Sequence, residues 1–202
     1  MRILVACEES QAVTIAFRNR GHEAYSCDTE PCSGGHPEWH FQQDVIPLLS
    51  GEWDMIIAFP PCTYLTNAAA VRLRVNGELN KERLENAKKA KDFFMMFYNN
   101  PCKKIAIENP TPSKIHGLPP YNHVIQPFDF GHKYSKRTCL WLKGLPPLMA
   151  TKIYSDHEPY VNGGCKDANG NYRKAQGRNE RDPKTRSKTF HGIAEAMADQ
   201  WG

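Results

Sequence analysis

The chain has 202 residues, of which 40% are hydrophobic and 24% are charged, and its formal net charge is +4 at pH 7. A chain of this length can bury the core of one domain but is hardly long enough for two, and its composition is ordinary for a globular protein. No apolar run approaches the roughly 20 residues that a membrane-spanning helix requires, so we expect no such helix.

The cysteines bear on where the protein works. Seven are present, an odd number, and Met1 and Arg2 run directly into the sequence ILVAC. Because this apolar stretch is too short for the core of a signal peptide, we expect neither a signal peptide nor disulfide bonds. The predicted location is a reducing cytoplasm.

Strand and helix patterns alternate along the chain. Apolar patterns predict strands at 2–6, 22–28, 39–45, 53–59 and 103–110. Helical spacing predicts helices at 10–21, 80–100 and 189–202, and the stripe of the long helix that should face the sheet comprises Leu84, Ala87, Lys91, Phe94 and Tyr98. Residues 123–131 and 137–144 should form a closing antiparallel pair, and 66–80 and 144–188 should be loops. The alternation predicts an α/β fold with a mostly parallel sheet flanked by helices.

Polar residues follow the predicted strands at what would be one edge of a parallel sheet. They are, in chain order, Cys7, Glu8, Glu9, Ser10, Asp28, Asp44, Pro61, Cys62, Glu108 and Asn109. Ligands of parallel α/β sheets bind at the carboxyl ends of the strands. The sequence therefore predicts a binding site at this edge.

Four of these residues suggest specific chemistry, and three of them also have a plainer alternative. Asp28 could accept hydrogen bonds from both hydroxyls of a ribose, or serve as an ordinary turn residue. Asp44 could accept a hydrogen bond from the exocyclic amine of adenine. Cys62, held after two prolines in FPPCTYLT, could be a nucleophile or a buried structural cysteine. Glu108 could approach the same substrate or pair with Lys104.

Positive charge is concentrated near the end of the chain. Between Lys143 and Phe190 there are ten Lys or Arg residues and five acidic residues, a local excess of +5. Such a block forms either solvated loops or a surface that binds phosphates, and both interpretations stay open.

Taken in order, these motifs resemble those of the cytosine 5-methyltransferases of DNA, in the compact form of small phage and prophage members. FPPCTYLT resembles the family's Pro-Cys motif, with Thr63 in place of its glutamine, and IENP resembles its Glu-Asn-Val motif. In the segment resembling Gln-x-Arg-x-Arg, Arg137 matches the first arginine and Cys139 falls on the second. The likeness covers about residues 1–142 and 187–202.

The resemblance implies a Rossmann-like, S-adenosylmethionine-dependent methyltransferase fold in one domain over 1–202, with the basic segment 144–188 in place of a target-recognition domain. It implies methyl transfer to carbon 5 of a flipped or single-stranded cytosine in DNA through a covalent cysteine adduct. Cys62 would be the nucleophile and Glu108 the partner of the cytosine N3 edge. Asn109 would position the loop, and Arg137 would hold the carbonyl O2 or a phosphate.

Further contacts are expected around this centre, and no metal is expected. The expected cofactor contacts are Cys7, Glu8, Ser10, Gln11, Asp28, Asp44 and Pro61. The expected substrate and DNA contacts are Thr63, Arg72, Arg74, Arg173, Lys174 and Arg178. The loop 66–80 would close over the nucleotide and bring its arginines to phosphates. The phage-like form suggests a role in protection from restriction.

Several alternatives stay open at this point. The first loop, ACEESQAV, has no glycine where the family has Phe-x-Gly-x-Gly, which is also compatible with a catalytically inactive binding homologue. The substrate could be a free pyrimidine nucleotide. The double proline is shared with methyltransferases that modify exocyclic amines of adenine or cytosine. Cys32, His36 and His40 have a spacing that could bind zinc, or they lie in a loop that covers the adenine side.

Overall fold

A computed structural model describes residues 1–160, 180 and 182–202. The predicted DNA contacts Arg173, Lys174 and Arg178 lie outside the described residues.

The strands are β1 (Arg2–Ala6), β2 (Glu23–Asp28), β3 (His40–Gln42), β4 (Met55–Ala58), β5 (Arg74–Val75), β6 (Glu78–Leu79), β7 (Lys104–Pro110), β8 (His123–Ile125), β9 (Tyr134–Ser135), β10 (Thr138–Lys143) and β11 (Glu158–Pro159). The α-helices are α1 (Ala12–Arg18), α2 (Asn67–Ala70), α3 (Lys81–Tyr98), α4 (Pro183–Ser187) and α5 (His191–Trp201). Short 3₁₀ helices span Pro37–Trp39, Ile46–Ser50, Val71–Leu73, Lys114–His116 and Pro127–Asp129.

A central sheet joins seven strands in the order β3-β2-β1-β4-β7-β10-β8. The first five are parallel to one another, whereas β10 runs antiparallel to both β7 and β8. This confirms the predicted α/β fold of Rossmann-like type and the closing antiparallel pair. Strand order changes direction between β1 and β4, which is where open α/β sheets bind ligands.

Alternate side chains of the strands fill two cores, one on each face of the sheet. Ile3 and Val5 of β1 belong to the core beneath α1 and α5, whereas Leu4 and Ala6 belong to the core beneath α3. Every one of these four residues is fully buried. Because both faces are covered, the strands have the continuous apolar sequences that predicted them.

Helix α3 begins where the side chain of Asn80 accepts a hydrogen bond from the backbone N–H of Arg83 at 2.9 Å. The buried residues of the helix are Ala87, Phe94 and Phe97. Tyr98, which was expected to face the sheet, is exposed. The expected stripe was therefore wrong at its end, where Phe97 supplies the last buried aromatic ring.

The segment 66–80, expected to be a loop, is instead regular. Thr66 caps α2 by accepting a hydrogen bond from the backbone N–H of Ala69 at 3.2 Å. A 3₁₀ turn follows, and then β5 and β6 pair as a hairpin around Asn76 and Gly77, both with positive φ. Asn-Gly at the tip of a two-residue hairpin is a strong local signal, because both positions need that backbone conformation.

The third predicted strand, 39–45, is shorter than expected. Pro37 begins a 3₁₀ helix before it, and the carboxylate of Asp44 accepts a hydrogen bond from the backbone N–H of Ile46 after it. Strand β3 therefore spans His40–Gln42.

The two described stretches that flank 161–179 meet beside the sheet. Strands β9 and β11 pair in parallel, and the backbone N–H of Tyr160 donates to the carbonyl of Ser135 at 3.0 Å. Glu180 then donates its backbone N–H to the carbonyl of Tyr160 at 2.9 Å. Within the described residues, none of the helices has the length and apolar character to cross a bilayer.

Candidate active site at the carboxyl ends of the strands

Cys62 lies in the loop that leaves β4 at the ligand-binding edge of the sheet. The backbone N–H of Phe59 still donates to the carbonyl of Ala6 at 3.0 Å, and the next residue, Pro60, is buried. Pro61 is exposed and Cys62 is partly buried. Because proline has no N–H to continue a ladder, the two prolines end the strand and hold Cys62 just past it.

Asn109, near the end of β7, joins this loop to the neighbouring strand. Its side-chain N–H donates to the carbonyl of Pro60 at 3.0 Å, and the residue is fully buried. The loops that follow also touch, because the backbone N–H of Ser113 donates to the carbonyl of Leu65 at 2.8 Å. These contacts support the loop-positioning role expected of Asn109.

Cys62 and Glu108 lie within electrostatic reach of each other. Burial is the main cause that raises the pKa of Cys62, and the charge of Glu108 raises it further. Lys136 and Arg186 act in the opposite direction and lower this pKa. Burial also raises the pKa of Glu108, against the lowering effects of Lys136 and of a hydrogen bond from Thr138. The structure thus brings together the two residues expected to share the chemistry.

Lys136 is a member of this site that sequence reasoning missed. Its ammonium donates to the carbonyl of Arg186 at 2.7 Å, and it lines a cleft together with Phe59, Glu108 and Lys188. Arg137, which was expected at the site, is exposed and donates to the hydroxyl of Tyr121 at 3.1 Å.

Successive side chains of a strand point to opposite faces of the sheet. This alternation explains why Lys136 and not Arg137 lies at the site, and it could have revealed Lys136. Leu140 of β10 pairs with Glu108 and belongs to the core beneath α5, whereas Cys139 belongs to the core on the other face. Lys136 and Thr138 are an even number of residues from Leu140, so their side chains point to the same face of the sheet as Leu140 and Glu108. Arg137 shares the parity of Cys139 and points to the other face.

Glu8, an expected cofactor contact, stabilises the start of α1 instead. Its carboxylate accepts hydrogen bonds from the backbone N–H groups of Val13 at 2.7 Å and Thr14 at 3.2 Å, and from the Thr14 hydroxyl at 2.8 Å. Burial raises its pKa to about 7, although these hydrogen bonds act in the opposite direction. The side chain therefore serves to satisfy the free N–H groups of the helix.

Gln11, another expected cofactor contact, is fully buried and holds the loop around residues 32–36. Its amide donates to the carbonyl of His36 at 2.8 Å and accepts the backbone N–H of His36 at 3.1 Å. Gly34 packs so closely here that an added Cβ would lie 2.6 Å from the Cβ of Gln11.

The first loop adopts left-handed backbone conformations without glycine. Cys7 has φ of 59° and Gln11 has φ of 58°. Ser10 lies between them, and its hydroxyl accepts the backbone N–H of Ala12 at 3.5 Å. Residues with side chains rarely adopt this conformation outside functional sites or over-determined turns.

The two acids expected to bind the nucleoside part of the cofactor lie near Cys7. Asp28 accepts the backbone N–H of Glu30 at 3.0 Å through Oδ1, and Asp44 accepts that of Ile46 at 2.9 Å through Oδ1. Burial first, and then the charges of both acids, raise the pKa of the Cys7 thiol. Among the described residues, the Oδ2 atom of each acid has no hydrogen-bond donor, so both can still bind a ligand.

The remaining expected substrate contacts lie on the surface beyond Cys62. Thr63 and Arg72 are exposed. Arg74 is also exposed, and its guanidinium donates to the carbonyl of Gly77 across the β5–β6 hairpin at 2.9 Å.

The zinc alternative finds little support in the geometry. His36 stacks on Trp39 with ring centroids 3.9 Å apart. His40 forms hydrogen bonds to the Ser26 hydroxyl at 2.8 Å and the Glu30 carbonyl at 3.0 Å, which occupy both ring nitrogens. Over 1–160, 180 and 182–202, no three His, Cys, Asp or Glu residues form a group that could hold a metal ion.

Comparison with known proteins finds distant similarities among solved structures. No family model and no curated protein matches the chain. A proposed DNA modification methyltransferase encoded within a prophage of E. coli is similar at 13% identity and a TM-score of 0.46, over 83% of this chain and 57% of that one. The methyltransferase EhMeth of Entamoeba histolytica is similar at 13% identity and a TM-score of 0.48, over 82% of this chain and 61% of that one. The chain thus spans about three fifths of the length of both proteins, and the sheet order described above defines its fold.

Proposed function

We propose that the protein transfers a methyl group from S-adenosylmethionine to carbon 5 of cytosine in DNA. The observation that carries this proposal is the joint placement of Cys62 and Glu108. The thiol is held past the end of β4 by the Asn109–Pro60 hydrogen bond, within electrostatic reach of a buried carboxyl group on the adjacent strand. A nucleophile beside a proton donor at the ligand-binding edge is the arrangement that covalent catalysis on a pyrimidine requires.

The cofactor fits the donors at the neighbouring strand ends. Asp28 and Asp44 each keep one carboxylate oxygen for a ligand, which suits the ribose hydroxyls and the adenine amine respectively. When bound, S-adenosylmethionine supplies an electrophilic methyl group. Cys7 and Pro61 border this region, whereas Glu8 and Gln11 act on it indirectly by shaping the first loop.

The chain's own residues would then act on the pyrimidine ring. The Cys62 thiolate forms a bond to carbon 6, and the electron pair of the carbon 5–carbon 6 double bond moves into the ring. Protonated Glu108 delivers its proton to N3 and so neutralises the charge that builds up there. After carbon 5 has gained its methyl group, a base removes the proton from carbon 5, the double bond re-forms, Cys62 leaves as a thiolate and N3 returns its proton to Glu108.

The electrostatics of the site suit this sequence. An ionised Glu108 raises the pKa of Cys62, so protonation of Glu108 removes that effect and favours the thiolate. Lys136 lowers the pKa of both groups and would stabilise the negative charge during addition. A protonated acid and a thiolate thus favour each other in this pair.

DNA is the proposed substrate because cationic side chains lie at the site and on the segment that follows Cys62. The charge of Arg186 lowers the pKa of Cys62. Arg72 and Arg74 are exposed on the segment that follows Cys62. These residues would contact phosphates, and the target cytosine would have to leave the stack, because carbons 5 and 6 are covered in a duplex.

The experiment incubates the protein with labelled S-adenosylmethionine and unmethylated DNA, followed by mass spectrometry of the nucleosides. We expect 5-methylcytosine. The variant Cys62→Ser should lose this product and still bind S-adenosylhomocysteine. Cys102→Ser is the matched control, because the Cys102 thiol donates to the Trp53 carbonyl before β7 begins, at the opposite edge of the sheet.

Other products would contradict the proposal in distinguishable ways. N4-methylcytosine or N6-methyladenine would indicate transfer to an exocyclic amine. Modification of mononucleotides without DNA would indicate a free pyrimidine substrate. Cofactor binding without any product would indicate a binding protein with no activity.

A further inference from the structure

His132 accepts a hydrogen bond that only one protonation state of its ring allows. The backbone N–H of Gly192 lies against Nε2 of His132 at 3.0 Å. A backbone N–H can only donate, so Nε2 must accept and carries no proton, and the neutral ring has its proton on Nδ1. Protonation of the ring turns Nε2 into a donor and breaks this bond.

This bond fixes the first turn of α5. The residue before the helix, Phe190, provides no side-chain cap, and the first N–H groups of a helix have no partner within it. A Cβ at Gly192 would overlap with the carbonyl oxygen of Phe130, so the close approach of the two segments requires glycine. An imidazolium at this place would also face the positive end of the helix dipole.

The same contact holds one wall of the candidate active site. The ring centroids of His132 and Phe190 lie 4.9 Å apart, and the ammonium of Lys136 lies 5.9 Å from the centroid of Phe190. Phe190, Lys136 and Glu108 line one cleft. Since the charge of Lys136 lowers the pKa of both Cys62 and Glu108, a shift of Phe190 would disturb the support of a charge on which both groups depend.

The surroundings of His132 favour its neutral form. Burial is the first cause that lowers its pKa below the ordinary 6.5, and the charge of His191 on α5 lowers this pKa further. Glu195 pairs with His191 at 3.7 Å. In the described part of the chain, the other charged residues of the segments that pack around the ring are Asp129, Lys133, Lys136, Lys152 and Glu158.

We propose that neutral His132 is a positioning residue of the active cleft and that it makes the cleft sensitive to acid by holding the start of α5. Its protonation releases the N–H of Gly192, frees Phe190 to move away from Lys136, and so weakens the electrostatic support of Cys62 and Glu108. This inference concerns the regulation of the proposed site, and it rests on the proposed function for its effect on methyl transfer.

The test compares two variants of His132 with a histidine whose bond survives protonation. In His132→Gln the amide oxygen can accept the Gly192 N–H at every pH, whereas His132→Leu offers no acceptor. His123→Gln is the matched control, because Nε2 of His123 donates to the carbonyl of Leu148 at 3.0 Å and an imidazolium still does so.

Three quantities are followed between pH 8 and pH 5. They are the nitrogen chemical shifts of the His132 ring, hydrogen exchange of the Gly192 amide, and the rate at which iodoacetamide alkylates Cys62. At pH 8 we expect the Nδ1–H tautomer and a protected Gly192 amide. As the pH falls below 6.5, the wild type should lose this protection and should alkylate more slowly relative to His132→Gln, which keeps its acceptor.

His132→Leu should behave at pH 8 as the wild type does in acid. Its Gly192 amide should exchange freely, and kcat for methyl transfer should fall by about ten- to a hundred-fold, because a misplacement of about 1 Å costs roughly 100-fold in rate. His132→Gln should restore kcat, and His123→Gln should follow the wild type at every pH. Thermal unfolding at pH 8 shows whether each variant is folded.

Other outcomes overturn the inference. A proton on Nε2 at pH 8 would do so, as would a constant ratio of alkylation rates between the wild type and His132→Gln. If His132→Leu does not fold, the ring tautomer and the glutamine variant still decide. If exchange and alkylation change as expected but no 5-methylcytosine forms, the proposed function fails and the positioning role stands.

Discussion

Removal of the Asn109 side chain tests how the Cys62 loop is held. In Asn109→Ala the buried carbonyl of Pro60 loses its donor at 3.0 Å. A buried acceptor left without a partner costs about 1–3 kcal/mol, and for a chain of this size that lowers the melting temperature by roughly 2 to 12 °C. Since Asn109 is fully buried, solvent cannot replace the lost donor.

The variant Asn109→Asp should have a stability that depends on pH. A protonated aspartic acid can donate to the Pro60 carbonyl, but a buried carboxylate would face that oxygen without a donor. Burial raises the folded-state pKa of such a group, so the variant should keep most of its stability at low pH and lose it as the pH rises above about 4. Asn99→Asp, at an exposed position after α3, should show no such trend.

The assays are thermal unfolding at pH 5 and pH 8, and methyl-transfer kinetics. A nucleophile displaced by about 1 Å loses roughly 100-fold in rate, so Asn109→Ala should lower kcat far more than it raises KM. If Asn109→Ala melted within about 1 °C of the wild type, which is less than the smallest expected shift, and kept its kcat, then this hydrogen bond would not position the loop.

Two further predictions concern titration. The pKa of Glu8 is about 7 in the folded protein, above its usual 4.5, so its contribution to stability is full below pH 4.5 and is lost as the pH rises to about 7. That loss is roughly 3 kcal/mol, and Glu8→Gln should remove it from a series of urea unfolding curves; an unaltered pH profile in the variant would contradict the assignment. Glu108→Gln should lower the pKa of Cys62, and Lys136→Met should raise it. Iodoacetamide alkylation of Cys62 near neutral pH, followed by peptide mass spectrometry, should therefore be faster in the first variant and slower in the second, and equal rates would show that the three groups do not interact.

The sequence predicted the parts of the fold that local patterns determine. The parallel strands are apolar because helices cover both faces of the sheet, and these patterns were sufficient for the sheet and its closing pair. Cys62 and Glu108 were predicted to lie at one edge because the carboxyl ends of parallel strands meet there, and the structure places them after or on the adjacent strands β4 and β7. Phe97 was missed in favour of Tyr98 because helical spacing alone does not define which side of a stripe faces the sheet.

The roles of individual residues at the edge were harder to predict, because they depend on contacts between distant segments. Glu8 caps α1 and Gln11 binds the backbone of His36, and neither contact has a sequence signature. The left-handed backbone at Cys7 occurs without the glycine that usually marks it. Lys136 could have been found, since counting by twos back from Leu140 of β10 places Lys136, rather than Arg137, on the same face of the sheet as Glu108.

The hydrogen bond between Glu180 and Tyr160 brings the two residues that flank 161–179 next to each other beside strand β11. Where two chain positions are held this close, doubling the number of residues between them costs only about 0.6 kcal/mol of loop-closure entropy. Residues 160 and 180 are therefore suitable junctions at which an engineer could replace the segment between them and leave the seven-stranded sheet unchanged.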